Sequence, residues 1–189
     1  MKSAELAINS DRMMQRITAL ADIGSTGDGG CCRLALTEED RIGRDLVVSW
    51  MNDLGLDISI DAIGNVVGTW NVGSGKPVMT GSHIDTVRTG GIYDGNYGVI
   101  AGLEVIQTCQ EAGITPVRPL SVAFFTDEEG ARFSPDMLGS LVYAGGLGIE
   151  EALNIVGIDG KRVGDELQNI SYAGSTPCPG EVPHAFVEI

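Results

Sequence analysis

Val78-Met-Thr-Gly81-Ser-His83-Ile-Asp85-Thr-Val87, followed by Gly90-Gly-Ile-Tyr-Asp94-Gly95, is a short apolar run that ends in a glycine-punctuated turn carrying an imidazole and two carboxylates. The pattern recurs downstream, where Leu120-Ser-Val-Ala-Phe-Phe125 leads into Thr126-Asp-Glu128-Glu129-Gly130. Such runs, closed by turns, read as buried strands. Strand ends in an open α/β sheet are where side chains converge in a crevice. A divalent metal needs anionic or imidazole ligands held rigidly from behind, and these turns offer that donor chemistry. The stretch reads as a metal site on a sheet.

Working outward, Gly95 to Ala112 carries Val99, Leu103 and Ile106 at helical spacing, with Gly113 just past the end. Upstream, Leu56, Ile58 and Ile60 alternate with polar residues as a half-exposed strand does, and Gly64-Asn65 turns the chain into a second strand over 66–70. Before that lie two helical patterns. Ser10 or Asp11 caps the first, with Met13, Ile17, Leu20 and Ala21 on one face; Thr37-Glu-Glu-Asp40 opens the second as a capping box. The second carries Val47, Trp50, Met51 and Leu54 and stops at Gly55, which places Trp50 in the core. Met137 to Ala144 reads as helix and Glu150 to Val156 as the start of a shorter one, whereas the turn-rich stretch from Gly157 onward supports no assignment. The expected fold is α/β: a three-layer mixed sheet with helices on both faces.

Composition narrows the function. The 189 residues are 43% hydrophobic, enough for a real core, and 27 are glycine, about twice the usual share. A net charge of −14 argues against nucleic acid and anionic membrane as partners, since both require basic surface. No apolar run is long enough to span a bilayer, and Met1 to Asn9 lacks the apolar core of a signal peptide, so a cytoplasmic location is expected. The four cysteines include no C-x-x-C spacing and read as reduced, structurally neutral thiols.

A lone histidine after a strand is usually structural, and paired acids are usually a solvated face. The ordered combination behind two apolar runs is what selects the metal reading. His83-x-Asp85 places two side chains on one side of an extended segment, so the acid can fix the ring or its surroundings. Asp94 follows a Gly90-Gly91 turn that lets backbone close around an ion, and its two oxygens can bridge two metals. Glu128 and Glu129, being adjacent, suit a division of labour between ligating and facing the water. His184 lies among Pro183 and Ala185 with no acid before Glu188 and reads as non-catalytic.

Gly81-Ser-His83-x-Asp85-Thr-Val87, Gly90-Gly-x-Tyr-Asp94-Gly-x-x-Gly-Val99 and Glu128-Glu-Gly-x-Arg-Phe133 resemble the metal-dependent amidases grouped as N-carbamoyl-L-amino-acid hydrolases, allantoate amidohydrolases and β-ureidopropionases, within the zinc aminoacylase and di-zinc exopeptidase superfamily. Asp61-x-x-Gly-Asn65, Ala101-Gly-Leu-Glu104 and Met137-Leu-Gly-Ser140 extend the similarity. The resemblance implies roles for individual residues. His83 ligates a first metal, Asp94 bridges, Glu129 ligates a second metal, Glu128 is the general base, and Asp85 is the acid that orients His83. It also implies two divalent ions (zinc, manganese, cobalt or nickel) and a homodimeric full-length enzyme. The implied reaction is hydrolysis of an N-carbamoyl-L-amino acid to amino acid, ammonia and carbon dioxide. Allantoate or another ureido acid is the alternative substrate.

The residues Ala185-Phe-Val-Glu-Ile189 resemble the approach to that family's His-Ile-Glu-Gln-Gly-Pro motif. The expectation is that residues 1–189 form the amino-terminal part of the catalytic domain, without the lid and dimerisation domain or the carboxy-terminal part, and that the chain alone is inactive and self-associating. The competing expectation is a binding or pseudo-enzyme module without catalysis.

Overall fold

A computed structural model describes residues 6–189 of the chain; the first five, part of the amino-terminal stretch read above, lie outside the described residues. The elements run α1 (Ser10–Asp22), α2 (Glu38–Asp53), β1 (Asp57–Ile60), β2 (Val66–Trp70), β3 (Val78–His83), α3 (Asn96–Glu111), β4 (Leu120–Phe125), α4 (Leu138–Tyr143), α5 (Ile149–Leu153), α6 (Val163–Asn169) and β5 (Ala185–Glu188). One five-stranded sheet has the order β1-β2-β4-β3-β5. β1, β2 and β4 pair antiparallel, while β3 runs parallel to both β4 and β5, so the sheet is mixed as expected.

The face carrying Val66, Val122 and Phe124 packs into the main core with Met13, Ile17 and Leu20 of α1, Val47 and Met51 of α2, and Val99, Leu103 and Ile106 of α3. The α1 positions buried are those the helical spacing selects, but the cap is Asn9 rather than Ser10 or Asp11: its Oδ1 accepts from Arg12 N at 3.0 Å. Thr37 does cap α2 through Asp40 N, yet the reciprocal half of the box is missing. Asp40 Oδ2 instead accepts from Leu36 N and from Arg44 Nε, because a fully buried arginine one turn on needs an anion more than the cap does. Trp50 is half-buried against the core edge, with Arg16 over its ring.

The opposite face is thinner. Met79, Ala123 and Phe125 form a small cluster with Val67 and Tyr143 of α4. α6 and β5 arise from the turn-rich region that supported no assignment. β5 is exposed at all four positions and shows no alternation, because it lies at the sheet edge; pairing to β3, rather than burial, makes it a strand. Among the described residues no helix is long and apolar enough to cross a membrane, and all four cysteines are free thiols.

Candidate active site

β3 and β4 lie side by side and parallel, with His83 opposite Phe125, so both acidic turns leave the sheet at the same end and level. His83 is almost wholly buried. Its Nδ1 lies 2.9 Å from the backbone carbonyl oxygen of Asp85. A carbonyl can only accept, so Nδ1 carries the proton and Nε2 presents its lone pair outward. Nε2 faces two carboxylates, Glu128 Oε2 at 3.4 Å and Asp94 Oδ1 at 3.8 Å. Gly95 makes this approach possible. It sits at φ +62°, and a Cβ there would come within 2.5 Å of the His83 ring and of its carbonyl oxygen.

Asp85 is buried beneath both turns. Its carboxylate accepts from Glu128 N at 3.2 Å and Glu129 N at 3.3 Å, while its Oδ1 stays 3.8 Å from His83 Nδ1. The ring is therefore held by the Asp85 carbonyl, and the Asp85 side chain holds the glutamate turn. Burial pushes the Asp85 carboxyl up, opposed by His83 and reinforced by Asp40. Asp127, in the left-handed region at φ +54°, is also fully buried. Burial first, then the negative charge of Asp85, pushes its carboxyl up to about 8, so it holds a proton at neutral pH. Its Oδ1 accepts from Phe133 N, and among the described residues its Oδ2 has no partner. The Glu129 carboxyl is raised too, by burial and by the charges of Asp94 and Glu128 against the pull of His83.

The glutamate turn is braced by residues outside the motifs' acids. Asn65 Oδ1 accepts from Thr126 N at 2.9 Å, and its Nδ2 donates to Asp61 Oδ2 and to Gly139 O. Arg44, fully buried, donates to Gly64 O at 2.7 Å and to Thr126 Oγ1. The first amides of α4 also find acceptors here: Met137 N, Leu138 N and Gly139 N donate to the carbonyls of Glu128, Asp127 and Thr126. Sequence reading gave no role to Arg44, or to Asp127 within the quoted Thr126-Asp-Glu128 turn. Asn65 did lie in the quoted Asp61-x-x-Gly-Asn65 similarity, which was the available signal.

The donor set suits a divalent cation in chemistry. His83 Nε2, Asp94, Glu128 and Glu129 offer imidazole and carboxylate oxygen, and among the described residues no lysine or arginine pairs with these acids. Two donors each about 2.0–2.2 Å from one ion stand roughly 3–4 Å apart, the range seen between Nε2 and the two carboxylates. Among the described residues, however, no three His, Cys, Asp or Glu side chains are gathered tightly enough to grip an ion by themselves. The Asp94 side chain is 72% exposed, which leaves the mouth of the site open.

Known proteins resemble this chain in sequence and in fold. The model of Peptidase family M28 matches residues 65–157. An N-carbamoyl-L-amino-acid amidohydrolase of Rhizobium meliloti is 39% identical over 96% of this chain and 44% of its own length. A ureidoglycolate hydrolase of Oryza sativa is 34% identical over 98% of this chain and 38% of its own. The crystal structure of a hydantoinase/carbamoylase family amidase from Burkholderia ambifaria superposes with a TM-score of 0.92 at 42% identity, covering 96% of this chain and 45% of that one. The chain thus spans less than half the length of the relatives it matches. In sequence and in fold it belongs to the amidase family of the N-carbamoyl-L-amino-acid amidohydrolases and hydantoinase/carbamoylase enzymes.

Proposed function

We propose that this chain supplies one half of a metal-dependent amidohydrolase site that cleaves the linear C–N bond of a ureido acid, first among them an N-carbamoyl-L-amino acid. The observation that carries the reading is the convergence of Asp94 and Glu128 on the outward Nε2 of His83, at the ends of two adjacent parallel strands. His83, Asp94 and Glu129 would hold the divalent cations, zinc, manganese, cobalt or nickel. When bound they supply Lewis acidity at the carbonyl and make water a nucleophile at neutral pH.

The chain's own residues account for the proton path and the positioning. The Glu128 side chain is 32% exposed, which lets it face the open mouth. It takes a proton from the attacking water as the carbon–oxygen bond forms. It then returns that proton to the leaving carbamoyl nitrogen as the carbon–nitrogen bond breaks. Ammonia departs, and the carbamate left on the amino acid loses carbon dioxide to give the free amine. Asp85 keeps Glu128 and Glu129 in register through their amides, and the Asp85 carbonyl keeps the His83 lone pair outward.

The groups that recognise the substrate carboxylate, and the ligands needed to complete coordination, would come from the part of the relatives' length that this chain does not match. A lid domain, homodimer formation and a cytoplasmic location belong to the same proposal. The similarity to a ureidoglycolate hydrolase favours a second reading, in which the substrate is allantoate or another ureido acid. The test is ammonia release by the product of the whole gene from N-carbamoyl-L-amino acids, β-ureidopropionate and allantoate in parallel, before and after chelation. Chelator-sensitive release from the first class supports the proposal, and metal-independent release or none from all three overturns it.

A further inference from the structure

We infer that Arg33 is a positioning residue whose buried guanidinium clamps the turn after β3 to the start of α3 and so sets the distance between His83 and Asp94. The inference rests on reading those two residues as a cation-holding pair. Arg33 is fully buried, and among the described residues no carboxylate forms an ion pair with it. A buried cation without an anion is costly, and an apolar side chain of similar volume would fill the space more cheaply. What the guanidinium does here is hold backbone. Nε donates to Ile84 O at 2.8 Å, between His83 and Asp85. Nη1 donates to Leu20 O and Ile23 O, both at 2.7 Å, at the carbonyl end of α1, where the helix dipole favours a positive charge. Nη2 donates to Asn96 Oδ1 at 3.0 Å.

Asn96 relays the clamp to Asp94. Because arginine can only donate, the Asn96 amide is oriented without ambiguity: Oδ1 faces Arg33 and Nδ2 donates to Ile92 O at 3.1 Å. Asn96 N also donates to Asp94 O at 2.6 Å, so Asp94 is bracketed on both sides by groups tied to one side chain. The backbone around Arg33 serves the same end. Arg33 N donates to Thr86 Oγ1 and Thr86 N to Arg33 O, while Cys31 and Gly90 exchange both of their backbone hydrogen bonds. Segment 31–33 is thus a splint laid under the whole turn from Ile84 to Asn96. A lysine could not reproduce the fork, since its single ammonium cannot reach Ile84 O and Asn96 Oδ1 in one plane.

The test compares Arg33→Lys and Asn96→Ala with Met51→Ala, a buried α2 position packed against Gly68 and remote from the turn. Amide hydrogen exchange is measured well below the melting temperature, and zinc affinity by calorimetry, both on the product of the whole gene. Both turn variants should speed exchange across residues 84–96 by about 10-fold or more with residues 120–125 unchanged, whereas Met51→Ala should show no such selectivity. Zinc affinity should fall about 10- to 100-fold in the turn variants, as it does when ligand-orienting contacts are lost, and stay unchanged in Met51→Ala. Exchange at the wild-type rate over 84–96 in both turn variants, or the same pattern in Met51→Ala, overturns the inference. If Arg33→Lys does not fold, Asn96→Ala, which leaves the guanidinium in place, decides alone. If the wild-type product of the whole gene takes up no zinc that His83→Ala abolishes, the metal reading fails, and the exchange pattern still decides whether Arg33 positions the turn.

Discussion

The turn after β3 and the turn after β4 leave adjacent parallel strands at one level, yet different side chains hold them. The first is braced from below by a cation, with Arg33 gathering its carbonyls directly and through Asn96. The second is braced through both its amides and its carbonyls: Asp85 accepts from Glu128 and Glu129, Asn65 accepts from Thr126, and the first amides of α4 donate to the carbonyls of Thr126, Asp127 and Glu128. In the first turn the acid stands in the open, Asp94 being 72% exposed, while in the second Asp127 is sealed inside as a neutral acid. The difference teaches how an acid-rich site can be rigid. Each turn offers the core whichever backbone group its brace can satisfy, and the charges left over point to the same mouth. Asp85 belongs to the first turn by sequence and to the second by its hydrogen bonds, so the two are mechanically one.

The largest expected effect separates the turns by chemistry. Glu128→Gln in the product of the whole gene should keep metal content and lower turnover by about 10²- to 10⁴-fold, the usual contribution of a general base. Glu129→Gln should instead weaken metal binding, with turnover partly recovered by added metal. Metal analysis beside steady-state rates distinguishes the two. Metal lost from Glu128→Gln but retained in Glu129→Gln would mean that the roles within the second turn are exchanged.

The next effect is on the first turn's geometry. Gly95→Ala puts a Cβ into the His83 ring and strains a left-handed backbone, and should cost about 3 kcal/mol in urea melts or prevent the turn from forming. Gly91→Ala, four residues earlier and facing open space, should stay within about 0.5 kcal/mol of wild type. Equal losses in the two would show that the close approach to His83 is not what Gly95 provides.

Asp85→Asn tests the mechanical coupling of the turns. An amide has one accepting oxygen where the carboxylate has two, so one of the Glu128 and Glu129 amides is left without a partner, at a cost of about 1–3 kcal/mol. Exchange should quicken at Glu128 or Glu129 rather than at His83. Quickening confined to residues 83–87 would assign Asp85 back to the imidazole.

The smallest effect is a reference carboxylate outside both turns. Burial pushes the Glu104 carboxyl up, but the Arg12 fork, the Asn9 amide and the Thr108 hydroxyl outweigh it and hold it below the usual value. A carboxyl depressed in the folded state contributes stability that is present above its unfolded value, about 4.5, and lost as pH falls through the folded one. Wild-type melts should show that acid loss, and Glu104→Gln should lack this part of it. An unchanged acid limb in Glu104→Gln would remove Glu104 as the source.

Periodicity alone was enough to place the α1 core positions, the β1–β2 hairpin and the helix following Gly95, because each of these buries one face against a common core and the burial writes itself into spacing. β5 and α6 carry no such record. β5 is an exposed edge held mainly by backbone pairing, and hydrogen bonds between main chains leave no trace in residue types. At the candidate site, His83, Asp85, Asp94, Glu128 and Glu129 stood out because acids and an imidazole behind apolar runs are chemically conspicuous. The residues that hold them were not. Arg33 and Arg44 look like surface cations in one dimension, and only the fold reveals that both are buried and aimed at carbonyls.

The sequence by itself pointed to the family through the resemblance of its motifs, and to the mixed α/β sheet and the donor chemistry of the candidate site through residue type and spacing. The tertiary structure decided which group holds which. The Asp85 carbonyl rather than its carboxylate lies against the imidazole, and Asn9 rather than Ser10 caps α1. Asp40 serves Arg44 and Leu36 instead of closing a capping box. The physical reason is the same in each case: a buried polar group takes the nearest partner that satisfies it at least cost in burial, and nearness across the chain is a property of the fold.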